Sequence, residues 1–556
     1  MGNNPQSVPS EICQAGIHAG FLASAAKHPG RPALDVAGSV LSYAELRTWA
    51  AAVASTVTGI NAPSESSLVG VFALRTAAAY AAVLGGLMSG KGIVPLNPSF
   101  PPERTAAMIE ASGIETLLLD SRGASQLEPL LKLLSKPMCF LFVETGAGHH
   151  ELARAWPQHR FLDKDGIAAP ATWQAKPVNP DSTAYLLFTS GTTGKPKGVA
   201  LLHRNLTHFI RVGLSRYALS ERDRFSQIYD FTWDPHLFDL YGCWESAACL
   251  CVPQPDQLLN PGKFFREKEI TVIDMVPSMA HVMMRMGSLK PGRYPALRLL
   301  RLGGEAVAVE IAAACAAATP NAVVENTYGP TEATVEVTSY VWDSTRSPAE
   351  AEQGIVPIGF PYRGCELLVV DESLEEVPEG TEGELLIGGA QTAPGYWRSP
   401  EQTRRAFVVP PGREQTFYRT GDRVRRPAAG KPMCFLGRND SQIKIHGARI
   451  ELGDVEAALR KSACTALAAA VGWPRSKTGT EGIIAFIDKP GADVAAILAD
   501  LKHRLPNVMV PRQVRLLQQV PLNANGKVDR NALLRLLESE TPARTAPRVQ
   551  SASGNS

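Results

Sequence analysis

The stretch YLLFTSGTTGKPKG, Tyr185 to Gly198, decides how this chain is read. Tyr185 to Phe188 is an apolar run of strand length. It opens directly into Thr189, Ser190, Gly191, Thr192, Thr193, Gly194, Lys195, Pro196, Lys197 and Gly198. Glycines let backbone N–H groups approach an anion closely, and hydroxyls add further donors. Lysines neutralise polyphosphate charge. Four hydroxyl residues, three glycines and two lysines fill nine of ten positions, a concentration that a plain surface turn after a buried strand does not need. The loop is not a Walker A loop, which places its second glycine five residues after the first. Here those positions hold Pro196 and Val199.

Outward from this loop, apolar strand-length runs alternate with helical patterns. Leu68–Leu74 and Thr116–Leu119 read as buried strands, and Glu103–Ala111 and Ala306–Ala318 as helices. That alternation predicts βαβ units and a mainly parallel sheet. From about Ile355, glycines and prolines become dense among short alternating runs such as Glu366–Val370 and Glu384–Ile387, which predicts a β-rich subdomain over about 355–437. After Gly437 a further unit begins. Gly453–Lys461 and Asp493–Arg504 read as helices, and Ala466–Trp473 and Gly482–Ile487 as strands. The expected fold class is α/β: a large N-terminal domain of parallel α/β sheets over 1–437, including the β-rich subdomain, and a small mobile α/β domain over 438–540. Residues 541–556, rich in Pro, Ser and Ala, read as a disordered tail.

Composition narrows the function. The 556 residues are 45% hydrophobic and 20% charged, with 56 basic and 54 acidic side chains. This is globular composition, and the charge balance argues against a nucleic-acid partner, whose binding needs many phosphate contacts. The longest apolar candidate for a membrane span, Thr76–Gly90, is too short, so no membrane partner is expected. The N-terminus lacks a secretory pattern, and nine scattered cysteines read as reduced thiols of a cytoplasmic protein. Cys249 and Cys251 lie in an apolar run and read as buried strand thiols.

Five further motifs follow the loop in order: NTYGPTEA (Asn326–Ala333), GELLIGGAQTAPGYW (Gly383–Trp397), YRTGDR (Tyr418–Arg423), GRNDSQIKIHGARIELGDVE (Gly437–Glu456) and PLNANGKVDR (Pro521–Arg530). Together with Thr189–Gly198 they resemble the adenylate-forming (ANL) superfamily, which includes acyl-CoA synthetases, firefly-type luciferases and the adenylation domains of nonribosomal peptide synthetases. The likeness covers nearly the whole chain.

The resemblance implies a set of roles. ATP is the expected nucleotide, held by Thr189, Ser190, Gly191, Thr192, Thr193, Gly194, Lys195, Lys197, Gly303, Asn326, Thr327, Tyr328, Gly329, Thr331, Asp422, Arg438 and Lys527. Tyr328 would stack on adenine, and Asp422 would accept the ribose hydroxyls. Glu332, a hard oxygen ligand, would hold Mg²⁺. Thr189, Glu332, Lys527 and Lys444 form the expected catalytic set. Lys527 would serve adenylation, and Lys444 would be presented after the small domain turns about a hinge at Asp440. His446 departs from the family pattern, which commonly has Arg there.

The segment DRFSQIYDFTWDPHLFD places Asp234 where amino-acid-activating members hold the substrate α-ammonium. The remaining expected pocket residues are Pro235, Phe238, Asp274, Leu300, Leu302, Thr327, Val335 and Glu336. Two acids among apolar residues, Asp274 and Glu336, point to a basic side chain such as arginine, lysine or ornithine. An aliphatic amino acid is the alternative if one acid faces away. The expected activity is therefore amino-acid adenylation, followed by transfer to the phosphopantetheine thiol of a separate carrier protein. The chain reads as a free-standing enzyme of natural-product biosynthesis, and a small MbtH-like activator is a further partner the resemblance admits. The rival readings are an acyl-CoA ligase, which Asp234 argues against, and a non-catalytic adenylate binder, which Lys527, Glu332 and Asp422 argue against.

Overall fold

Valine, leucine and alanine runs with no polar interruption are buried on both faces, as strands of a parallel sheet must be. The computed structural model describes residues 16–60, 66–144, 149–163, 166–167, 169, 173–189, 196–439, 442–465, 467–476, 479–522 and 528–540. Two large sheets form the N-terminal body. The seven-stranded sheet runs, in spatial order, Arg160–Leu162, Cys139–Phe142, Thr116–Leu119, Leu68–Phe72, Gly92–Leu96, Thr183–Thr189 and Lys197–Leu202. All its pairs are parallel except the last, so the glycine-rich loop joins two antiparallel strands, of which Lys197–Leu202 is the sheet edge.

The nine-stranded sheet has an inner parallel row Val323–Tyr328, Leu299–Gly303, Val272–Met275, Arg224–Ser226, Cys249–Val252 and Pro32–Val36. Asp274, Gly303 and Tyr328 fall near the C-terminal ends of their strands, where open α/β sheets hold their ligands. A five-stranded antiparallel sheet follows, built from Cys365–Val370, Glu382–Gly389, Phe417–Arg425, Phe407–Val408 and Cys434–Arg438.

The C-terminal unit starts with the hairpin Gln442–Ile445 and Ala448–Glu451. His446 and Gly447 make its two-residue turn, both with positive φ (50° and 79°), the geometry that continues strand twist. Helix Leu452–Ala463, a three-stranded sheet of Ala468–Gly472, Ile483–Ile487 and Gln513–Leu516, and helices Val494–Arg504 and Arg530–Glu540 complete it. Asp493 caps the first of those last two helices by accepting from the Ala496 N–H at 3.0 Å, and Asp529 accepts from Ala532 N–H at 2.9 Å.

Most predicted elements are present within a few residues of their expected ends. The helix expected from Ala306 starts at Val309 because Ala308 is extended and pairs with Ile355. The apolar run Thr76–Gly90 is the buried core helix Ala77–Met88, capped by Thr76, and no helix among the described residues is long and apolar enough to cross a membrane. It packs on helix Tyr43–Gly59 so closely that a Cβ at Gly85 would stand 2.6 Å from Val53 and 2.9 Å from the Ala50 carbonyl. Gly85→Ala should therefore cost about 1–3 kcal/mol by overpacking. Gly59→Ala, with nothing within 4 Å of the added methyl, should leave the thermal midpoint unchanged or higher. Equal midpoints for the two variants in a melt would contradict this packing.

Candidate active site

The sheet ends, the β-rich sheet and the hairpin of the C-terminal unit enclose one cavity. Asp234, Pro235, Asp274, Gly303, Tyr328, Gly329, Thr331, Val335, Glu336, Asp422, Arg438 and Lys444 all line it, together with Thr189 at its mouth. Ser190–Lys195, Asp440 and Lys527 lie outside the described residues.

On the nucleotide side, Asp422 and Arg438 face each other across paired strands, and the Arg438 guanidinium donates to the Asp422 carboxylate. The Tyr328 hydroxyl also donates to Asp422. Arg438 Nη2 donates to the Thr420 carbonyl at 3.0 Å, which fixes the pair. Asn326 is buried away from the cavity, and its amide donates to the Val356 and Pro357 carbonyls at 3.2 and 2.9 Å. It thus braces the strand that carries Tyr328.

Glu332 is fully buried beside the cavity. It accepts from Tyr396 Oη at 2.8 Å and pairs with Arg449 Nη1 at 2.8 Å. Burial alone would push its carboxyl up, but Arg449 and Lys197 outweigh that and hold it below the usual carboxylate range. Arg449 comes from the C-terminal hairpin, so this ion pair ties the small unit to the large one. A second tie is Glu305, which accepts from the N–H of Ser278 at 2.8 Å and of Gly447 at 2.7 Å. In this arrangement Lys444 sits in the cavity. Enclosure lowers its ammonium pKa, and nearby Asp422 opposes that shift.

Asp234 lines the same cavity, close to Thr331, Lys444 and Arg449. Enclosure by protein pushes its carboxyl up to about 6, with the Thr331 hydroxyl pulling the other way.

The side-chain end departs from expectation. Leu300 and Leu302 do not line the cavity; they pack into the apolar cluster behind the sheet with Met283, Ile311 and Cys315. Side chains alternate along a strand, so Arg301 and Gly303 take the cavity face instead. Arg301 is paired in register with Asp274 on one neighbouring strand and Glu325 on the other. Its guanidinium, fully buried, forms ion pairs with Asp274 at 3.2 Å and with Glu336. Glu325 accepts from Arg216 at 2.9 Å. Phe238 is not on the wall either; its ring lies under Arg301, 3.7 Å from the guanidinium carbon to the ring centroid. Asp274 and Glu336 therefore share an internal cation, Arg301, and do not face the cavity as two isolated acids.

Thr327 Oγ1 donates to Glu336 Oε1 at 2.7 Å, and a Cβ at Gly303 would meet that hydroxyl at 2.5 Å. Thr334 and Val335 both have positive φ (59° and 71°), a costly conformation for β-branched residues. Gln391, to which the sequence motifs assign no role, holds this loop. Its buried amide donates to the Glu336 carbonyl at 2.6 Å and the Thr334 carbonyl at 3.2 Å. Among the described residues there is no group of three or more His, Cys, Asp or Glu that could hold a metal. A divalent ion would therefore rely on Glu332 and on ligand oxygens. Cys249 and Cys251 are buried, with sulfurs 4.0 Å apart.

Known proteins agree with this architecture. Residues 21–397 match the AMP-binding enzymes, and residues 454–527 match the C-terminal domain of AMP-binding enzymes. The chain belongs to the AMP-binding enzyme family. It is 31% identical to the AMB antimetabolite synthetase AmbB of Pseudomonas aeruginosa over 96% of this chain and 40% of that protein. It is 30% identical to the phenyloxazoline synthase MbtB of Mycobacterium tuberculosis over 94% of this chain and 35% of that protein. The chain thus spans less than half the length of these curated relatives. The adenylation domain AlmE of Vibrio cholerae, solved with glycyl-adenosine-5′-phosphate, superposes with a TM-score of 0.83 at 27% identity, covering 97% of this chain and 100% of AlmE. PA1221, a nonribosomal peptide synthetase protein with adenylation and PCP domains, superposes with a TM-score of 0.76 at 25% identity over 94% and 84%. The fold, with its C-terminal subdomain, is that of a nonribosomal peptide synthetase adenylation domain, an ATP-using adenylating enzyme.

Gln391→Met keeps volume but removes the donor that holds the 334–336 loop. Leaving buried carbonyls unpaired should cost about 1–3 kcal/mol. A differential-scanning melt should show a lower midpoint for the variant, and a smaller rise on adding ATP than the wild type shows.

Proposed function

We propose that this enzyme activates an amino acid as its aminoacyl adenylate and then transfers the aminoacyl group to the phosphopantetheine thiol of a carrier protein. The observation that carries this reading is the meeting of Asp234 with the nucleotide set Tyr328, Asp422 and Arg438 on one cavity. An enclosed carboxylate needs a cationic partner, and the substrate α-ammonium supplies one. The complex of AlmE with a glycyl adenylate, and the joined adenylation and PCP domains of PA1221, support both halves.

In the first half, a carboxylate oxygen of the amino acid attacks the α-phosphorus of ATP, the bond to the bridging oxygen breaks, and pyrophosphate leaves. Asp234 orients the ammonium, and Asp422 with Arg438 fixes the ribose. Thr189 and the loop 190–195, with Lys197, would hold the phosphates, while Thr327 and Gly303 shape the wall behind the reacting carboxylate. Glu332 fits as an oxygen ligand, and Mg²⁺ held there would offset phosphate charge. Lys527 would supply positive charge at the reacting carboxylate and α-phosphate. In the second half the thiol sulfur attacks the acyl carbon and AMP leaves. The arrangement with Lys444 in the cavity suits that half, because Arg449 there takes the carboxylate that the first half needs. A turn of the small domain at Asp440 would exchange Lys527 for Lys444.

Lys527→Ala should lower amino-acid-dependent ATP–pyrophosphate exchange by about 10²–10³ and leave transfer from preformed adenylate much less affected. Lys444→Ala should show the opposite bias. Equal losses in both half-reactions would contradict two arrangements.

The pH dependence follows from Asp234. Its carboxyl titrates near 6, and only the carboxylate attracts the ammonium. Amino-acid binding is thus fully present above that pH and lost below it. The KM for the amino acid should rise about tenfold for each pH unit below 6, and Asp234→Asn should flatten that rise while raising KM throughout. A KM unchanged by Asp234→Asn would return the enzyme to the acyl-CoA ligase reading.

A further inference from the structure

The end of the cavity that faces the substrate side chain is closed by an ion cluster. Asp274 and Glu336 line the cavity, and Arg301 stands behind and between them with none of its surface exposed. Glu325 lies behind them, 3.9 Å from Arg301 Nε and engaged by Arg216 at 2.9 Å, so the two carboxylates that face the cavity share one guanidinium, backed by the Phe238 ring. Two polar sites in it are unspent. Asp274 Oδ1 accepts from Tyr229 Oη at 3.3 Å, but Oδ2 takes no hydrogen bond. Arg301 Nε and Nη1 also make none, since the 3.2 Å contact to Asp274 lacks hydrogen-bond alignment.

A charged side chain fits this floor poorly from either sign. A cation that reached Asp274 or Glu336 would also approach Arg301, and in a low-dielectric enclosure like charges so close are costly. An anion would meet the two carboxylates before it met the guanidinium. A neutral donor pays neither cost and can add a hydrogen bond to Asp274 Oδ2, whose 3.2 Å ion contact with Arg301 Nη1 supplies none. Length is limited as well. Phe238 and Arg301 occupy the space beyond the acids, and behind the lining residues Gly303 and Glu336 the buried Thr327 hydroxyl is bonded to Glu336 and leaves no room for a Cβ at 303.

Building on the amino-acid reading, we propose that the enzyme selects a compact, uncharged amino acid whose side chain donates a hydrogen bond, a hydroxyl or a carboxamide. Arg301 is the specificity-determining residue that turns basic side chains away.

The test is ATP–pyrophosphate exchange with wild-type enzyme across serine, threonine, asparagine, glutamine, valine, leucine, phenylalanine, aspartate, glutamate, lysine, arginine and ornithine. One of the first four should lead by at least about tenfold in kcat/KM, since a site built to hydrogen-bond discriminates strongly. A lead by any charged, aliphatic or aromatic substrate overturns the proposal while leaving amino-acid adenylation standing. Exchange with none of them, beside activity on a carboxylic acid with CoA, overturns the amino-acid reading itself. Arg301→Met provides the second arm, because it leaves two carboxylates without their cation. The ratio of ornithine to serine or asparagine activity should rise at least about tenfold. An unchanged ratio in a variant that still gives an ATP-induced thermal shift overturns the role of Arg301. Arg301→Lys keeps the charge and should keep the wild-type ranking; a ranking that moves to ornithine in this variant counts against charge exclusion. If Arg301→Met does not fold, the wild-type ranking and Arg301→Lys still decide.

Discussion

The ion pair between Glu332 and Arg449 is the contact on which this arrangement of the molecule depends. Glu332 sits in a loop of the large domain with no exposed surface, and a buried carboxylate must be paired. Arg449 reaches it from a two-stranded hairpin of the small domain, and Tyr396 completes its coordination. The same hairpin brings Lys444 into the cavity and sets Gly447 on Glu305. One electrostatic requirement therefore fixes the position of the small domain. If Glu332 instead takes a metal in the first half-reaction, Arg449 keeps Gln442 and Tyr418 but loses its carboxylate, and the hairpin one of its ties to the large domain. Competition for one carboxylate then couples the nucleotide state to the domain position, without any separate signalling element.

The large-scale organisation is legible in the sequence because its signals are redundant. Hydrophobic runs, glycine and proline density, and ordered motifs all point to parallel sheets followed by a β-rich sheet and a small α/β unit, and errors of one to three residues at element ends do not change that. Helix starts move where the chain finds a better partner, as at Ala308, which pairs with Ile355 before the helix begins. Tyr328, Asp422 and Arg438 meet on one cavity because their motifs fix loops at strand ends, where spacing in sequence translates directly into position.

The side-chain pocket is less legible, for a reason of periodicity. A strand has a repeat of two, so an error of one residue exchanges its two faces. Reading Leu300 and Leu302 as the wall turned Arg301 to the wrong face; in the structure both leucines join the apolar cluster behind the sheet, and Arg301 is buried on the other face beneath Asp274 and Glu336. Composition encouraged the mistake: leucines are usual in an apolar pocket and a buried arginine is rare. The signal that could have corrected it is the row of Asp274, Arg301 and Glu325 at matching depths in three successive strands. Each charge alone has no partner in a buried sheet, and only one register lets them neutralise one another. Buried charge is thus a stronger register marker than hydrophobicity here, because the cost of misplacing it is several times larger.

The loop that carries Val335 and Glu336 shows where such a site stores its precision. Two successive β-branched residues in the left-handed region cost on the order of 1–3 kcal/mol each. Nothing local offsets that, because Thr334 and Val335 lack the conformational freedom of glycine. The compensation comes from outside the loop. Gln391, just after the strand Glu382–Gly389 of the β-rich sheet, ties down its carbonyls. Gly329 lets the chain pass where any Cβ would stand 2.5 Å from Glu336 Cα. The floor of the pocket is therefore positioned jointly by the parallel sheet that supplies Asp274 and Arg301 and by the β-rich sheet that restrains Glu336. Substitutions in Gln391 or Gly329, neither of which belongs to the ion cluster, would move one carboxylate relative to the guanidinium. The selectivity of the cavity would then change without any change in its lining residues.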